Sequence, residues 1–389
     1  MSVKIVGYAR TPFVKFNGVF ASVPATELGA HAAKSALERA GVDPSEVEQV
    51  IVGQVLQGGA GQNPARQSAV GAGIPLNVPA IAVNAVCLSG AEAVVAGTRL
   101  INNGEADIVL AIGQESMSLA PHVQRARAGT KYGAIELIDT LEYDGLTDAA
   151  EKRSMGASTE EHNANLSLTR EEQDKVAAAS HQRAAASRDF AAGEIAPFTI
   201  TTRKGETTYS EDDGIRESTT VETLSTLRPA FSKDGSITAG NSSQITDGAA
   251  AVVLASDAAI ARLGLSAMAE VVSHAFVAGP DRTLHEQPSN AIAAALQKAG
   301  AQAADLKAVE INEAFAAVVV QSAKVLGLDQ KIVNQHGGAT ALGHPIGASG
   351  ARIIGTLARQ LQELPAGSLG AIGICGGGGQ GTAVVLRSL

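Results

Sequence analysis

The sequence predicts an α/β protein made of two related βαβ-rich halves, with a loop domain inserted into the first half. Three observations predict this class: apolar strand patterns that alternate with helix patterns, an internal repeat, and a long interruption of that repeat. Alternation of strands and helices favours parallel sheets that are covered by helices on both faces. We expect two such units, related by a pseudo-twofold axis, to face each other through their repeated helices in a layered αβαβα arrangement.

The internal repeat is visible at a nearly constant spacing. Residues 32–55 align with residues 291–314 at an offset of 259, and a glycine meets a glycine at the end of the first helix pattern. Each copy has the pattern of an amphipathic helix with a glycine C-cap, followed by a short apolar segment and a strand. At an offset of 260 the match resumes, because SGA at 89–91 meets SGA at 349–351. The two halves therefore share one ancestor.

A long insertion interrupts the first copy of the repeat. The strand that begins at Ala251 with AVVLAS recurs at Ala383 as AVVLRS. The preceding AIG matches begin at Ala111 and Ala371, so the separation is 140 positions in the first half and 12 in the second. The first half therefore carries about 128 extra residues.

The inserted segment is more polar than the rest of the chain and contains a helix that starts at Thr169, with Glu172 completing a capping box. An excursion of this length predicts a lid or a substrate-binding domain. The sequence thus divides into an N-terminal half (1–116 plus 246–267), an inserted loop domain (117–245) and a C-terminal half (268–389).

The composition excludes several classes of protein. The chain of 389 residues has 45% hydrophobic and 18% charged residues, and it contains no apolar run that could span a bilayer. Its N-terminus lacks the pattern of a signal peptide, so we expect a soluble, cytoplasmic protein. A formal net charge of −9 argues against nucleic-acid binding, and no His/Cys spacing suggests a metal site.

The two cysteines are too few for a disulfide framework, so each is either buried packing or a reagent. Cys87 precedes the repeated helix of the first half, and His344 lies in the corresponding turn of the second half. Because a helix N-terminus stabilises an anion, we expect a lowered pKa for the Cys87 thiol and a thiolate near neutral pH. Cys375 ends the strand pattern GAIGIC, and strand ends and helix N-termini gather at one edge of a parallel sheet.

Each of these residues has a plainer interpretation when it is taken alone. A cysteine with apolar neighbours is most often inert core, and a single histidine is most often a loop residue with a satisfied hydrogen bond. The glycine run 376–379 is either a tight turn or a phosphate loop, although it lacks the lysine that a P-loop requires. Their joint occurrence favours a catalytic site.

Seven segments carry a resemblance to a known family. In chain order they read NAVCLSG, GQESMS, DGLTD, TAGNSSQITDGAA, NEAFA, GGATALGHPIGASGAR and CGGGGQG. Over essentially the whole chain they resemble the thiolase family, and the combination of GHPxGxSGAR with CxGGGxG is specific. The resemblance implies the thiolase fold, in which two βαβ-rich halves carry a loop domain inserted into the first half.

The resemblance also implies a role for each residue of the site. Cys87 is the nucleophile that takes an acyl group from an acyl-coenzyme A (acyl-CoA) as a thioester. His344 activates this thiol and helps bind a thioester oxygen, together with a water held by Asn312. A second oxyanion site uses the backbone N–H groups of Cys87 and Gly377.

Cys375 is, by the same resemblance, the general acid and base. It protonates the leaving CoA thiolate and then removes a proton from the α-carbon of the second acyl-CoA. The resulting carbanion attacks the acyl group on Cys87, which gives a 3-ketoacyl-CoA by Claisen condensation, and thiolysis is the reverse reaction.

The family pattern further implies contacts with CoA and its pantetheine arm, which are Arg216, Phe231, Ala239 and Ser243, with Met155 and Phe315 along the channel. Arg216 and the basic residues Arg125, Arg127 and Lys131 are also consistent with solvated surface charges. CoA thioesters are substrates, so no cofactor and no metal is implied. The family's assembly is a homotetramer built as a dimer of dimers.

Chain-length preference is left open by two departures from the family pattern. This chain has Ser154-Met155-Gly156 where acetoacetyl-forming thiolases commonly have His-Met-Gly, and LHEQP at 284–288 replaces Met-Gly-x-Gly-Pro. We expect an acetyl-CoA C-acetyltransferase that forms acetoacetyl-CoA by a ping-pong mechanism. The alternatives are a degradative 3-ketoacyl-CoA thiolase of fatty-acid β-oxidation and a non-catalytic thiolase-fold protein that binds acyl-CoA or serves in assembly.

Overall fold

The computed structural model describes residues 2–203 and 205–389. The strands are β1 (Val3–Arg10), β2 (Val14–Lys15), β3 (Gln49–Gly53), β4 (Ala80–Val83), β5 (Ile108–Glu115), β6 (His122–Val123), β7 (Ile138–Asp139), β8 (Phe198–Thr202), β9 (Gly205–Tyr209), β10 (Thr246–Ser256), β11 (Ala269–Ala278), β12 (Leu306–Ile311), β13 (Leu369–Gly376) and β14 (Gln380–Arg387).

The α-helices are α1 (Ala25–Ala40), α2 (Pro64–Gly71), α3 (Ser89–Asn102), α4 (Met155–Asn165), α5 (Arg170–Ala186), α6 (Arg188–Glu194), α7 (Val221–Ser225), α8 (Asp257–Leu263), α9 (Gln287–Ala299), α10 (Ala316–Leu326), α11 (Ala339–Leu342) and α12 (Ser349–Leu361). Short 3-10 turns occupy Pro44–Glu46, Ala303–Asp305 and Gln330–Ile332, and a π-helical turn occupies Leu141–Leu146. Within the described ranges, no helix is both long and apolar enough to cross a membrane.

Ten strands form one sheet in the order β12-β13-β14-β11-β1-β10-β5-β3-β4, with β2 beside β10. Only β3 with β4, β3 with β5, and β12 with β13 pair in parallel, and the other neighbours along this order are antiparallel. The prediction of parallel sheets is therefore wrong for most of the pairs. Burial on both faces produces the continuous apolar patterns of these strands, and that pattern does not report strand direction.

The two halves share a strand boundary at β1. This strand pairs along most of its length with β10, and its first residues, Val3 to Ile5, also pair with Ala269 to Val271 of β11. The predicted two sheets are thus hydrogen-bonded into one, which folds around a central helical layer.

That central layer consists of α3 and α12, which pack against each other and against strands of both halves. Their apolar residues share one buried cluster with residues of β5 and β10 on one side and of β13 and β14 on the other. Helix α1 covers the outer face of the first half, and α9 covers the outer face of the second. The predicted αβαβα layering is confirmed.

The repeat appears as matching local structure. Helix α1 ends at Gly41 with φ 66°, and α9 ends at Gly300, also with φ 66°. Glycine adopts this left-handed conformation without steric cost, which is why it caps both helices. The 3-10 turns Pro44–Glu46 and Ala303–Asp305 follow at the same offset of 259. The predicted glycine caps are confirmed.

The chain between β5 and β10 holds two small hairpins, α4 to α7 and the π-helical turn. Helix α5 begins after Thr169, whose side chain and that of Glu172 form the predicted capping box. A buried ion pair ties this part to the sheet, because Arg10 Nη1 lies 2.7 Å from Asp212 Oδ1 and Arg10 Nε lies 2.9 Å from Glu194 Oε2. The division at 116/117, 245/246 and 267/268 stays a prediction.

Glycines allow α3 and α12 to approach closely at their N-terminal ends. A Cβ atom added to Gly350 of α12 would lie 2.3 Å from the backbone nitrogen of Ala91 in α3. One added to Gly90 of α3 would lie 2.7 Å from the carbonyl oxygen of Gly347, just before α12. These glycines occupy equivalent positions of the repeat, so each half contributes one to the crossing.

Substitution Gly350→Ala tests this crossing. We expect a loss of about 1–3 kcal/mol in the free energy of unfolding, because the methyl group has no room against the α3 backbone. Gly58→Ala is the control, since its added Cβ would meet only Pro121 at 3.4 Å or beyond. The measurement is the thermal midpoint followed by circular dichroism. Equal midpoints for the two variants would contradict the close crossing.

Candidate active site

Cys87 lies in a strained turn between β4 and α3, two residues before the helix begins. The preceding residue, Val86, has φ 53°, a left-handed conformation that is a true outlier for a β-branched side chain and costs about 1–3 kcal/mol. The Val86 N–H donates to Asn84 Oδ1 at 3.0 Å. Ser89 Oγ accepts from the Ala85 N–H at 2.9 Å and donates to the Val86 carbonyl at 2.6 Å. These bonds hold the turn that carries the thiol.

The pKa values of both thiols are raised, although Cys87 is half-buried and Cys375 is fully buried. Burial raises the pKa of Cys87 to about 12, although the backbone N–H groups of Cys87 and Gly377 oppose the shift. The expectation of a lowered pKa for Cys87 is therefore wrong, because removal from water outweighs the helix N-terminus. Burial also raises the pKa of Cys375, and the neighbouring Cys87 raises it further. Cys375, the second-last residue of β13, is buried.

His344 lies five residues before α12, farther from the helix than the repeat predicts, but Ser349 links the two. His344 Nδ1 is 2.6 Å from Ser349 Oγ, whose hydroxyl donates to the Pro345 carbonyl at 3.0 Å. We assign the tautomer in which His344 Nδ1 donates to Ser349 Oγ and Nε2 accepts, because the Ser349 hydroxyl then donates to the Pro345 carbonyl and the Asn312 NH₂ group faces Nε2. Burial lowers the pKa of His344 to about 3, with a smaller contribution from Arg352. The neutral imidazole is therefore favoured, and its Nε2 is the nitrogen that can accept a proton.

Asn312 pairs with this basic nitrogen. It follows β12, and its backbone N–H donates to the Gly373 carbonyl on the neighbouring strand at 2.9 Å. Its Nδ2 lies 3.5 Å from His344 Nε2. Its Oδ1 is buried and has no hydrogen-bond partner among the described residues. Asn312 therefore presents one unused acceptor beside the imidazole.

The predicted residues form two adjoining groups. Cys87, Cys375 and Gly377 lie in one region, since a Cβ atom added to Gly377 would lie 3.6 Å from Val86 and one added to Gly376 would lie 2.7 Å from Leu88, the residues on either side of Cys87. His344 and Asn312 form the second group. Ile346, two residues after His344, joins them because it packs in one apolar cluster with Cys87.

A cavity of about 640 Å³ leads to His344. It is lined by all six residues predicted to contact CoA, which are Met155, Arg216, Phe231, Ala239, Ser243 and Phe315. The Phe231 and Phe315 rings meet edge to face, with centroids 6.1 Å apart. His181 lines the cavity beside Arg216. Burial lowers the pKa of His181 to about 4, and the positive charge of Arg216 lowers it further in the same direction. The cavity thus joins apolar walls to a cation, whereas Arg125, Arg127 and Lys131 do not line it.

A second cavity, of about 890 Å³, reaches the nucleophile turn from another side. Val86, Gly377 and Met155 form its inner wall. Its outer wall is charged and contains Asp144, Asp148, Lys152 and Arg282. Met155 lines both cavities, so this side chain separates them.

Sequence reasoning missed three polar residues of the site. Ser349 orients the imidazole, and Glu115 and Glu313 are buried carboxylates that accept hydrogen bonds from the surrounding backbone. Burial raises the pKa of Glu115 to about 7. In the sequence, the signal for Glu115 was an acidic residue at the end of β5, a strand whose first six residues are apolar or glycine. Across residues 2–203 and 205–389, no cluster of three or more His, Cys, Asp or Glu residues is arranged to hold a metal ion.

Two family models together match nearly the whole chain. The model described as "Thiolase, N-terminal domain" matches residues 3–258, and "Thiolase, C-terminal domain" matches residues 265–388. A probable acetyl-CoA acetyltransferase of Mycolicibacterium smegmatis is 51% identical over 387 residues, which cover 98% of this chain and 100% of the relative.

Two solved structures share the fold along the full chain. Human mitochondrial 3-ketoacyl-CoA thiolase matches with a TM-score of 0.95 and 39% identity, covering 100% of this chain and 99% of that one. An acetyl-CoA acetyltransferase from Syntrophomonas wolfei matches with a TM-score of 0.96 and 34% identity, at the same coverage of both chains. The chain therefore has the thiolase fold and belongs to the thiolase family of acyltransferases.

Proposed function

We propose that this chain is an acetyl-CoA C-acetyltransferase, which condenses two acetyl-CoA molecules reversibly into acetoacetyl-CoA and CoA through an acyl-cysteine. The observation that carries the proposal is the packing of Gly376 and Gly377, which directly follow Cys375, against Leu88 and Val86, which flank Cys87. The name of the relative from Mycolicibacterium smegmatis, a probable acetyl-CoA acetyltransferase, supports the choice of substrate. CoA thioesters serve as substrates, so the proposal needs no cofactor.

In the first half-reaction Cys87 attacks the carbonyl of acetyl-CoA. The dry site disfavours an isolated thiolate and an isolated imidazolium, as the pKa shifts of Cys87 and His344 indicate. The proton therefore moves from Cys87 to His344 Nε2 only as the sulfur–carbon bond forms, when the two opposite charges arise together. The CoA sulfur leaves with a proton from Cys375, and the acetyl group remains on Cys87 as a thioester.

In the second half-reaction the Cys375 thiolate removes a proton from the α-carbon of a second acetyl-CoA. The resulting enolate oxygen receives a hydrogen bond from protonated His344 and another from a water held by Asn312 Oδ1, which otherwise lacks a partner. The carbanion attacks the acetyl group on Cys87. We place the oxygen of that tetrahedral adduct at the Cys87 and Gly377 N–H groups. Collapse of the adduct breaks the bond to the Cys87 sulfur, which takes back the proton from His344, and acetoacetyl-CoA is released.

The cavity of about 640 Å³ would hold the substrate arm. Its apolar wall, with Phe231 against Phe315, suits the pantetheine chain, and Arg216 supplies the positive charge that a nucleotide phosphate needs. We place this CoA site mainly in the inserted loop domain (117–245), between the halves 1–116 plus 246–267 and 268–389. A cytoplasmic location is part of the same proposal, because a reactive pair of thiols needs a reducing compartment.

Cys87→Ala tests the nucleophile. We expect thiolysis of acetoacetyl-CoA to fall by at least about 10³-fold, because no other group can take the acyl chain. Intact-mass and peptide measurements after incubation with acetyl-CoA alone should show an acetyl group on Cys87 in the parent protein and none in the variant. Cys375→Ala should still form the adduct while losing condensation. Turnover by Cys87→Ala at the parent rate would reject the nucleophile assignment, and a parent protein without turnover would favour a non-catalytic binding protein.

A degradative 3-ketoacyl-CoA thiolase is the second candidate. The cavity of about 890 Å³ beside Val86 and Gly377 gives a longer acyl chain somewhere to go, and one structural match is a 3-ketoacyl-CoA thiolase. The charged outer wall of that cavity, with Asp148, Lys152 and Arg282, opposes an apolar chain.

Chain-length preference follows from a direct comparison. We expect kcat/KM for thiolysis of acetoacetyl-CoA to exceed that for a 3-ketoacyl-CoA of eight or more carbons, since burying a chain near those charges is unfavourable. The measurement is the loss of 3-ketoacyl-CoA absorbance at equal enzyme concentration. A preference of about tenfold or more for the longer substrate, equivalent to 1.4 kcal/mol, would favour the degradative enzyme.

The proposed assembly is a homotetramer built as a dimer of dimers. The segment 119–139, which carries the β6–β7 hairpin, exposes apolar side chains that a monomer would leave in water. They include Tyr132, 99% exposed, and Ile135 and Leu137, each about 60% exposed. A single protomer has a mass of 39.4 kDa.

Light scattering after size exclusion tests the tetramer. The parent should have about four times the protomer mass, and Ile135→Glu with Leu137→Glu should form a smaller species because two charges replace an apolar contact. Val325→Glu, at another exposed apolar position on α10, is the control and should stay tetrameric. A parent protein that runs as a dimer at all concentrations would rule out the tetramer.

A further inference from the structure

Two buried carboxylates hold opposite ends of the segment that carries His344. We call residues 339–347 the His344 segment. Glu313 Oε2 accepts the Thr340 N–H at 2.9 Å, four residues before the histidine. Glu115 Oε2 accepts the Gly347 N–H at 3.0 Å, three residues after it. Glu115 ends β5 in one half of the repeat and Glu313 follows β12 in the other, so each half fixes one end.

Glu313 gathers three further donors around the first end of the His344 segment. Its Oε1 accepts from Asn334 Nδ2 at 2.8 Å, and its Oε2 accepts from the Ser180 hydroxyl at 2.7 Å. Ser180 Oγ in turn accepts the Gly338 N–H at 2.9 Å, directly before the segment. Glu313 is adjacent in sequence to Asn312, so one turn carries both the imidazole's amide partner and the anchor of the imidazole's segment.

Glu115, unlike Glu313, accepts hydrogen bonds only from backbone N–H groups. Its two oxygens accept from the backbone N–H groups of Val55 at 3.0 Å and Leu56 at 3.2 Å, besides Gly347. Among the described residues, no salt bridge compensates either Glu115 or Glu313, and both are at most 1% exposed. A carboxylate only accepts, so an amide at either position would turn an NH₂ group toward a donor. The surrounding donors therefore favour two acceptor oxygens at each position, and at Glu115 they oppose the burial that raises its pKa to about 7.

We propose that Glu115 and Glu313 are positioning residues for the reaction, which fix His344 between the nucleophile and the substrate by clamping both ends of its segment. The inference rests on the proposed function, because it assigns the proton transfer at Cys87 to His344. Neither carboxylate touches the reacting atoms. Displacement of a catalytic group by about 1 Å costs on the order of 10²-fold in rate, so a loosened clamp should affect turnover far more than binding.

The test uses Glu115→Gln and Glu313→Gln in the full chain. We expect kcat for acetoacetyl-CoA thiolysis to fall by about 10- to 100-fold, with KM within about threefold, because substrate contacts stay in place. The second readout is the rate of Cys87 alkylation by iodoacetamide, followed by peptide mass spectrometry. This rate reports proton removal from Cys87 without any CoA substrate, and it should fall by about tenfold in each variant.

A double-mutant cycle separates positioning from general damage. In a His344→Ala background, Glu313→Gln should change the alkylation rate by less than about twofold and Glu115→Gln should not lower it, because the group they position is gone and the Glu115 charge otherwise only raises the pKa of Cys87. The matched control is Glu48→Gln. The Glu48 carboxylate accepts the backbone N–H groups of Asp107 and Ile108 at the start of β5, the opposite end of that strand from Glu115, and does not touch the His344 segment. It should leave kcat within about twofold of the parent.

Each outcome decides a separate point. Equal losses in the parent and His344→Ala backgrounds, or a Glu48→Gln variant as slow as the others, would overturn the clamp. If Glu115→Gln or Glu313→Gln does not fold, Glu115→Asp and Ser180→Ala, which keep the charge, should show a smaller loss that is likewise absent from His344→Ala. The proposed function is tested separately, by turnover of the parent, by its chain-length preference and by Cys87→Ala, so a clamp that fails beside an active parent and an inactive Cys87→Ala leaves the acyl-cysteine mechanism intact.

Discussion

The close crossing of α3 and α12 is the constraint on which the rest of this structure depends. Gly90 and Gly350 remove the side chains that would otherwise separate the two helices. The turn before α3 carries Cys87 and the segment before α12 carries His344, so bringing the helix N-termini together also joins the two halves of the site. A larger residue at either glycine would act on stability and chemistry together, because one contact serves both.

Exclusion of water governs the chemistry of the site more than helix dipoles do. Burial favours the neutral forms of Cys87, Cys375 and His344, whereas the cation of the cavity, Arg216, is outside this group of three. In such surroundings opposite charges are stable only when they form as neighbours. A mechanism in which the proton and the acyl group move together suits this environment, and so does a site whose hydrogen-bond donors are mostly fixed backbone N–H groups.

Much of the fold was predictable because the repeat leaves local signals, such as the glycine caps Gly41 and Gly300 and the capping box at Thr169. Strand direction was not, because a strand buried on both faces has the same apolar pattern in either direction. The six predicted CoA contacts that line the cavity of about 640 Å³ were identified only through family motifs. The pKa of Cys87 was mispredicted because sequence locates a helix end but not the side chains that exclude water from it. Glu115 and Glu313 were missed because their partners are backbone groups distant in sequence.

Strand β1 has a consequence for how this chain is made. In the sheet, β1 lies between β10 and β11. It cannot pair with either strand until residues beyond 246 have been synthesised. At about 5–20 residues per second, that wait lasts roughly tens of seconds. During this interval an apolar strand with both edges open is exposed to other nascent chains. Chaperone occupancy on the ribosome therefore matters more for the yield of this protein than for one whose first strand pairs early.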